Sequence, residues 1–206
     1  MADRALSVGV VLFPDFEVLD VFGPVEVLGF FKDAFRIHLI GPASGPVTSS
    51  QGPRCLADHG LDDAPPLDML LVPGGLGTRR EVDNPALLGW LQRRAADATY
   101  VTSVCTGAAL LARAGVLDGR RATSNKRSWD WVVSQGPRVD WVRRARWVQD
   151  GPLWTSSGVS AGIDMTLQLV ATLVGADAAE AVAWRIEHAW HRDASYDPFA
   201  DPRPGS

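Results

Sequence analysis

Three short apolar runs constrain this chain more than any other feature: Ser7-Val-Gly-Val-Val-Leu-Phe13, Met69-Leu-Leu-Val72 and Tyr100-Val-Thr-Ser-Val104. Each is closed by a turn and followed by residues with helical period. Uninterrupted apolar runs of this length suit strands buried on both faces, as in a parallel sheet. Phe35 to Ile40 alternates as a further strand and stops at Gly41-Pro42, and Gly45 to Gly60 reads as a hairpin excursion with weak strands. The helical segments are Val25 to Phe31, with Pro24 at the first turn, a helix from about Pro85 with Leu87, Leu88, Leu91 and Ala95 on one face, and Gly107 to Ala114, ended by Gly115. Further on come a short helix around Ser128 to Val133, a hairpin from Val142 to Thr155 turning at Asp150-Gly151, and helices over Ile163 to Val174 and Ala178 to Trp190. Strands alternating with helices predict an α/β fold with a mostly parallel central sheet covered on both faces. In such sheets ligands bind at the carboxyl ends of the strands, so the turns after Phe13, Val72 and Val104 are where a site is expected.

A chain of 206 residues has room for one domain, here spanning 1–206, with a core from about 7 to 190 and an irregular tail, rich in Pro and Asp, from 193 to 206. A net charge of −4 offers no field for a phosphate backbone, which argues against nucleic acid as a partner. The cluster Arg143-Arg144-Ala145-Arg146 reads as solvated surface. No apolar run approaches the roughly 18 residues of a spanning helix, so no membrane is expected. The first residues lack the pattern of a secretory leader, so a cytoplasmic location is expected, where Cys55 and Cys105 remain thiols. No metal or cofactor is implied: His188 and His191, with Glu187 beside them, lack a third ligand at metal spacing and read as a solvated helix end.

Ser103-Val104-Cys105-Thr106-Gly107 puts a thiol at a strand-to-helix junction with Gly two residues on, the arrangement of a nucleophile elbow. The amides opening the next helix are expected to lower the thiol pKa. The competing reading is a small apolar core residue. Asp20, among Leu19, Val21 and Phe22, stands at the same sheet edge, as a general acid raised in pKa by its apolar neighbours or as a helix cap. Gly74 and Gly75 let backbone approach closely and offer amides to a developing negative charge. The stretch Trp154 to Gly162, holding Ser157 and Gly158, reads as a pocket wall or as a loop with Ser160 as N-cap.

Leu19-Asp20-Val21-Phe22-Gly23-Pro24, Val72-Pro73-Gly74-Gly75, Val101-Thr-Ser-Val-Cys-Thr-Gly107 and Ser160-Ala-Gly-Ile-Asp164, in this order, resemble the ThiJ/PfpI superfamily, and within it the isonitrile hydratase branch. The resemblance runs from about Ser7 to about Trp190 and implies a flavodoxin-like three-layer sandwich, commonly a homodimer. It also implies hydration of an isocyanide to an N-substituted formamide through a cysteine thioimidate, without metal or cofactor. By motif, Cys105 matches the nucleophile, Asp20 the acid, and Thr106 the following residue, where protease-like relatives tend to carry histidine; Thr106 and Gly75 are the expected charge-stabilising positions. The chain departs from the hydratase pattern at Ser124-Asn125-Lys126-Arg127, where histidine and an aromatic residue are expected, and at Phe22, where a small hydroxyl residue is. Asn125 is thereby a candidate pocket residue, and the resemblance implies a small electrophile as substrate. The same cysteine also fits a glyoxalase-like or deglycase-like action on α-oxoaldehydes, or a redox sensor oxidised at sulfur. Relatives that add a C-terminal helix-turn-helix act as transcription regulators, and the short run of chain after Trp190 speaks against that reading.

Overall fold

The computed structural model describes residues 4–201. The elements are, in chain order, β1 (Leu6–Val11), α1 (Val18–Gly29), β2 (Phe35–Ile40), β3 (Gly45–Thr48), β4 (Arg54–Ala57), β5 (Met69–Val72), α2 (Thr78–Glu81), α3 (Pro85–Asp97), β6 (Tyr100–Ser103) and α4 (Gly107–Arg113). They continue with β7 (Arg121–Ala122), α5 (Trp129–Gln135), β8 (Asp140–Trp141), β9 (Trp147–Asp150), β10 (Leu153–Ser156), α6 (Ala161–Leu173) and α7 (Ala176–Arg185).

The central sheet runs β2-β1-β5-β6-β10-β9, with every neighbouring pair parallel except β10 and β9. Its five parallel strands follow the flavodoxin-like order, in which β1 and β5 flank the topological switch point. The apolar runs explain this placement: all four side chains of β5 and all four of β10 are buried. Right-handed crossovers put α1 and α3 on opposite faces, because β1 to β2 and β5 to β6 step across the sheet in opposite directions. In agreement, α1 packs on α6, and α3 on α4.

Several expectations need correction. Helix α1 starts at Val18, so Asp20 lies in its first turn and Pro24 in its interior; the apolar period through Val21, Val27 and Leu28 outweighs the missing amide of Pro24. The expected hairpin from Val142 is β9 and β10 alone, while residues near its start extend the small β7–β8 pair, where Arg121 and Ala122 align with Asp140 and Trp141. Helix α7 ends at Arg185, and His188 and His191 lie beyond it. Those histidines are not a solvated helix end: His188 Nε2 bonds Asp164 Oδ1 at 2.8 Å, and the His191 amide donates to the same oxygen at 3.0 Å. Ser160 stands at the N-cap of α6 without a side-chain cap bond. Arg146 is buried and forks onto Asp164 through Nε at 2.7 Å and Nη2 at 2.6 Å, because the chain after α7 returns over it.

Candidate active site

The site forms where the turns after β1, β5 and β6 meet. The first two are laced by backbone bonds from Glu17 N–H to Gly74 O at 2.9 Å and from Gly77 N–H to Asp15 O at 3.0 Å. The third carries Cys105 at φ 57°, in the left-handed region that L-residues seldom enter. Its neighbours enforce that conformation. The Cys105 amide donates to Ser157 O at 3.1 Å, Ser124 Oγ donates to Cys105 O at 2.6 Å, and a Cβ on Gly107 would stand 2.1 Å from Val72 O. Gly107 is therefore required for α4 to dock against β5 directly behind the thiol.

Cys105 is 6% exposed. Burial, and after it the negative charge of Asp20, hold its thiol well above the ordinary cysteine range, against opposing hydrogen bonds from the amides of Thr106 and Val159 and from the Asn125 side chain. This corrects the expected thiolate, since the amides that open α4 do not offset the loss of water around sulfur. At rest the group is a neutral thiol.

Asp20 is fully buried. Its Oδ2 accepts the Gly74 amide at 2.8 Å, while Oδ1 accepts no hydrogen bond of good geometry among the described residues. Burial raises its pKa to about 7, aided by the charge of Glu17 and opposed by the Gly74 amide and the Cys105 thiol. Leu19 and Phe22 do not supply that burial: at 40% and 39% exposed they point outward, and Asp20 faces inward from the same turn.

Gly74 and Gly75 position side chains; their amides are not free donors. The Gly75 amide donates to Thr106 Oγ1 at 3.1 Å, and a Cβ on Gly74 would meet Thr106 N and Oγ1 at 2.5 Å and Asp20 Oδ2 at 2.9 Å. Asp20, Gly74 and Thr106 thus pack with no room to spare. Buried Thr78, from α2, joins them, with Oγ1 donating to Gly75 O at 2.7 Å and lying 3.1 Å from Thr106 Oγ1. On the other side, Gly158 makes room for Asn125, whose Nδ2 would lie 2.4 Å from a Cβ there. Ser157 is buried and contributes its backbone: its carbonyl takes the Cys105 amide and its amide donates to Arg146 O at 2.8 Å.

The expected residues therefore fall in one place. Sequence reasoning missed Thr78, and it gave Ser124 and Val159 no role of their own within the two stretches it singled out. A β-branched residue at φ 42°, as Val159 is, contradicts every local preference, so no sequence signal marks it. Among the described residues, no group of three or more His, Cys, Asp or Glu side chains is arranged to hold a metal ion, and no helix is long and apolar enough to cross a membrane.

A family model described as DJ-1/PfpI matches residues 6–172, which take in the whole site. The chain belongs to the DJ-1/PfpI family. It is 40% identical over 187 residues to an isonitrile hydratase of Pseudomonas putida, covering 90% of this chain and 79% of that one. It is also 34% identical over 168 residues to the HTH-type transcriptional regulator CdhR of Pseudomonas aeruginosa, covering 80% of this chain but only 49% of the regulator, so the chain spans about half of that protein. Among solved structures, a THiJ/PfpI family protein from Pseudomonas syringae superposes with a TM-score of 0.82 at 29% identity, covering 98% of this chain and 78% of that one. The DJ-1/PfpI family thus includes relatives named as enzymes and as regulators, and the reaction is argued from the site.

Proposed function

We propose that this protein is an isonitrile hydratase-like lyase, acting through Cys105 and Asp20 without a cofactor. One observation carries the reading: a cysteine held at φ 57° beside a buried carboxyl whose pKa of about 7 lets it both take and return a proton at neutral pH. The 40% identity to a hydratase supports the choice of substrate class.

The neutral thiol dictates the order of events. Sulfur attacks the terminal carbon of R–N≡C as its proton passes to the Asp20 carboxylate, and Asp20 delivers that proton to the same carbon, giving the thioimidate R–N=CH–S. Water then adds to the carbon through oxygen while the nitrogen gains a proton. The carbon–sulfur bond breaks, Asp20 carries the hydroxyl proton to the departing sulfur, and R–NH–CHO leaves. Asn125 and the amides of Thr106 and Val159 face the sulfur, where negative charge appears in both bond-making and bond-breaking. A reducing cytoplasmic setting keeps the thiol free, and the resemblance to the family adds a homodimer, which sedimentation equilibrium checks.

The test is conversion of cyclohexyl isocyanide to N-cyclohexylformamide, with methylglyoxal as the competing substrate. Cys105→Ala is expected to lose at least about a thousandfold in turnover. Full turnover in both Cys105→Ala and Asp20→Asn excludes the proposal, and turnover of methylglyoxal alone moves the assignment to α-oxoaldehydes.

A further inference from the structure

The segment after α7 returns to the site side of the molecule. Its backbone is tied down by the Arg146 amide on Ala194 O and the Asp197 amide on Arg144 O, both 2.8 Å, and by Arg143 Nε on Ala200 O at 3.1 Å. It carries Asp197, whose side chain has no exposed surface, to within 3.6 Å of Lys126 Nζ and 3.8 Å of Arg146 Nη1. Lys126 is itself buried, and its Nζ donates to Thr123 Oγ1 at 2.7 Å, Ala145 O at 2.8 Å and Ser124 O at 3.0 Å. Two of the ammonium protons thus fasten the turn spanning 123–126 from within, and the third ties it to Ala145. That turn holds the nucleophile through Ser124 Oγ, which donates to Cys105 O at 2.6 Å, and sets the Asn125 side chain on the sulfur's side, where it favours the thiolate. Asn125 is fixed in turn through Oδ1, which accepts the Ser128 amide at 2.9 Å.

A buried ion pair is a weak source of stability, since a well-packed apolar pair of similar volume often does as well. Its direct connection to the residues on the nucleophile gives this pair another role. We propose that Asp197 and Lys126 are positioning residues for Cys105, the ion pair from the C-terminal segment holding the 123–126 turn so that Ser124 stays on the Cys105 carbonyl and Asn125 stays beside the sulfur. This extends the cysteine chemistry proposed above, but its test does not depend on the substrate.

The experiment follows alkylation of Cys105 by iodoacetamide across pH, read site by site by mass spectrometry to separate it from Cys55, together with urea unfolding of each variant. Asp197→Asn and Asn125→Ala are each expected to slow alkylation about fivefold at every pH from 7 to 9, as loss of one modest contact favouring the thiolate would. The double variant is expected to be no slower than Asn125→Ala. If Asp197→Asn does not fold, Lys126→Met with Asp197→Leu removes both charges, leaves neither unpaired with the other, and is expected to fold and show the same slowing. A wild-type rate in Asp197→Asn or in the charge-free pair overturns the proposal, as does a double variant slowed by the product of the two single effects. Absence of hydratase turnover in the wild-type protein, with these alkylation results intact, counts against the proposed reaction alone.

Discussion

Asp20 joins stability and reactivity in one group. Its pKa of about 7 in the fold, against 3.8 for an ordinary aspartate, makes the protonated form the one the native state prefers. An acid raised in this way favours folding fully below the unfolded pKa, and that contribution is lost as pH rises through 7. Above pH 7 the native state carries a cost of about 4 kcal/mol for holding the charge. Asp20→Asn is therefore expected to raise unfolding free energy at pH 8 by up to that amount and by clearly less at pH 5, measured by urea titration at each pH. Catalysis runs the other way, because the carboxylate must take the thiol proton. Turnover is expected to climb with pH through an apparent pKa near 7, and Asp20→Asn to lose that limb along with most of its rate. A variant that is more stable at pH 8 and nearly inactive separates this account from one in which Asp20 only braces α1.

The elements were legible wherever one signal acted alone. The buried runs of β1, β5 and β6 announced a parallel sheet, and Cys105-Thr106-Gly107 announced the elbow, because close packing against Val72 O admits only glycine at position 107. The sequence places the start of α1 too late because Pro24 suggests a first turn, whereas the helix begins at Val18, nearly two turns earlier. The state of the thiol was misread for a similar reason: the amides at the start of α4 are visible in sequence, while burial depends on residues far along the chain, such as Ser157 and Asn125. The same glycine contacts give a prediction at this scale. Gly107→Ala is expected to cost at least about 3 kcal/mol, since backbone at 2.1 Å must move and α4 must shift on β5. Gly29→Ala, with nothing within 4 Å of the new Cβ at the end of α1, is expected to be neutral or to stabilise by about 0.5 kcal/mol. Thermal unfolding of the two variants compares them directly.

For the whole molecule, the decisive feature is a buried set of charges joining the chain after α7 to α6 and to the residues before β9. Arg146, Asp164, Asp197 and Lys126 form this connected group, with the half-buried His188 ring bonded to Asp164 at its edge, and Arg146, His188 and Asp197 come from segments that read as a solvated cluster, a helix end and an irregular tail. No local pattern marks them, because their burial follows from where the last residues of the chain lie. Arg144 and Arg146 make the contrast testable within two positions. Arg144 meets Asp201 at 3.2 Å with both side chains largely in water, so Arg144→Ala is expected to cost less than about 1 kcal/mol. Arg146→Met leaves Asp164 to His188 and Asp197 to Lys126, neither a full replacement in a dry interior, and is expected to cost about 3–5 kcal/mol. Guanidinium unfolding of both variants decides the matter: equal midpoints would mean that the C-terminal segment is not held by its buried charges, and that the fold rests on the apolar layers alone.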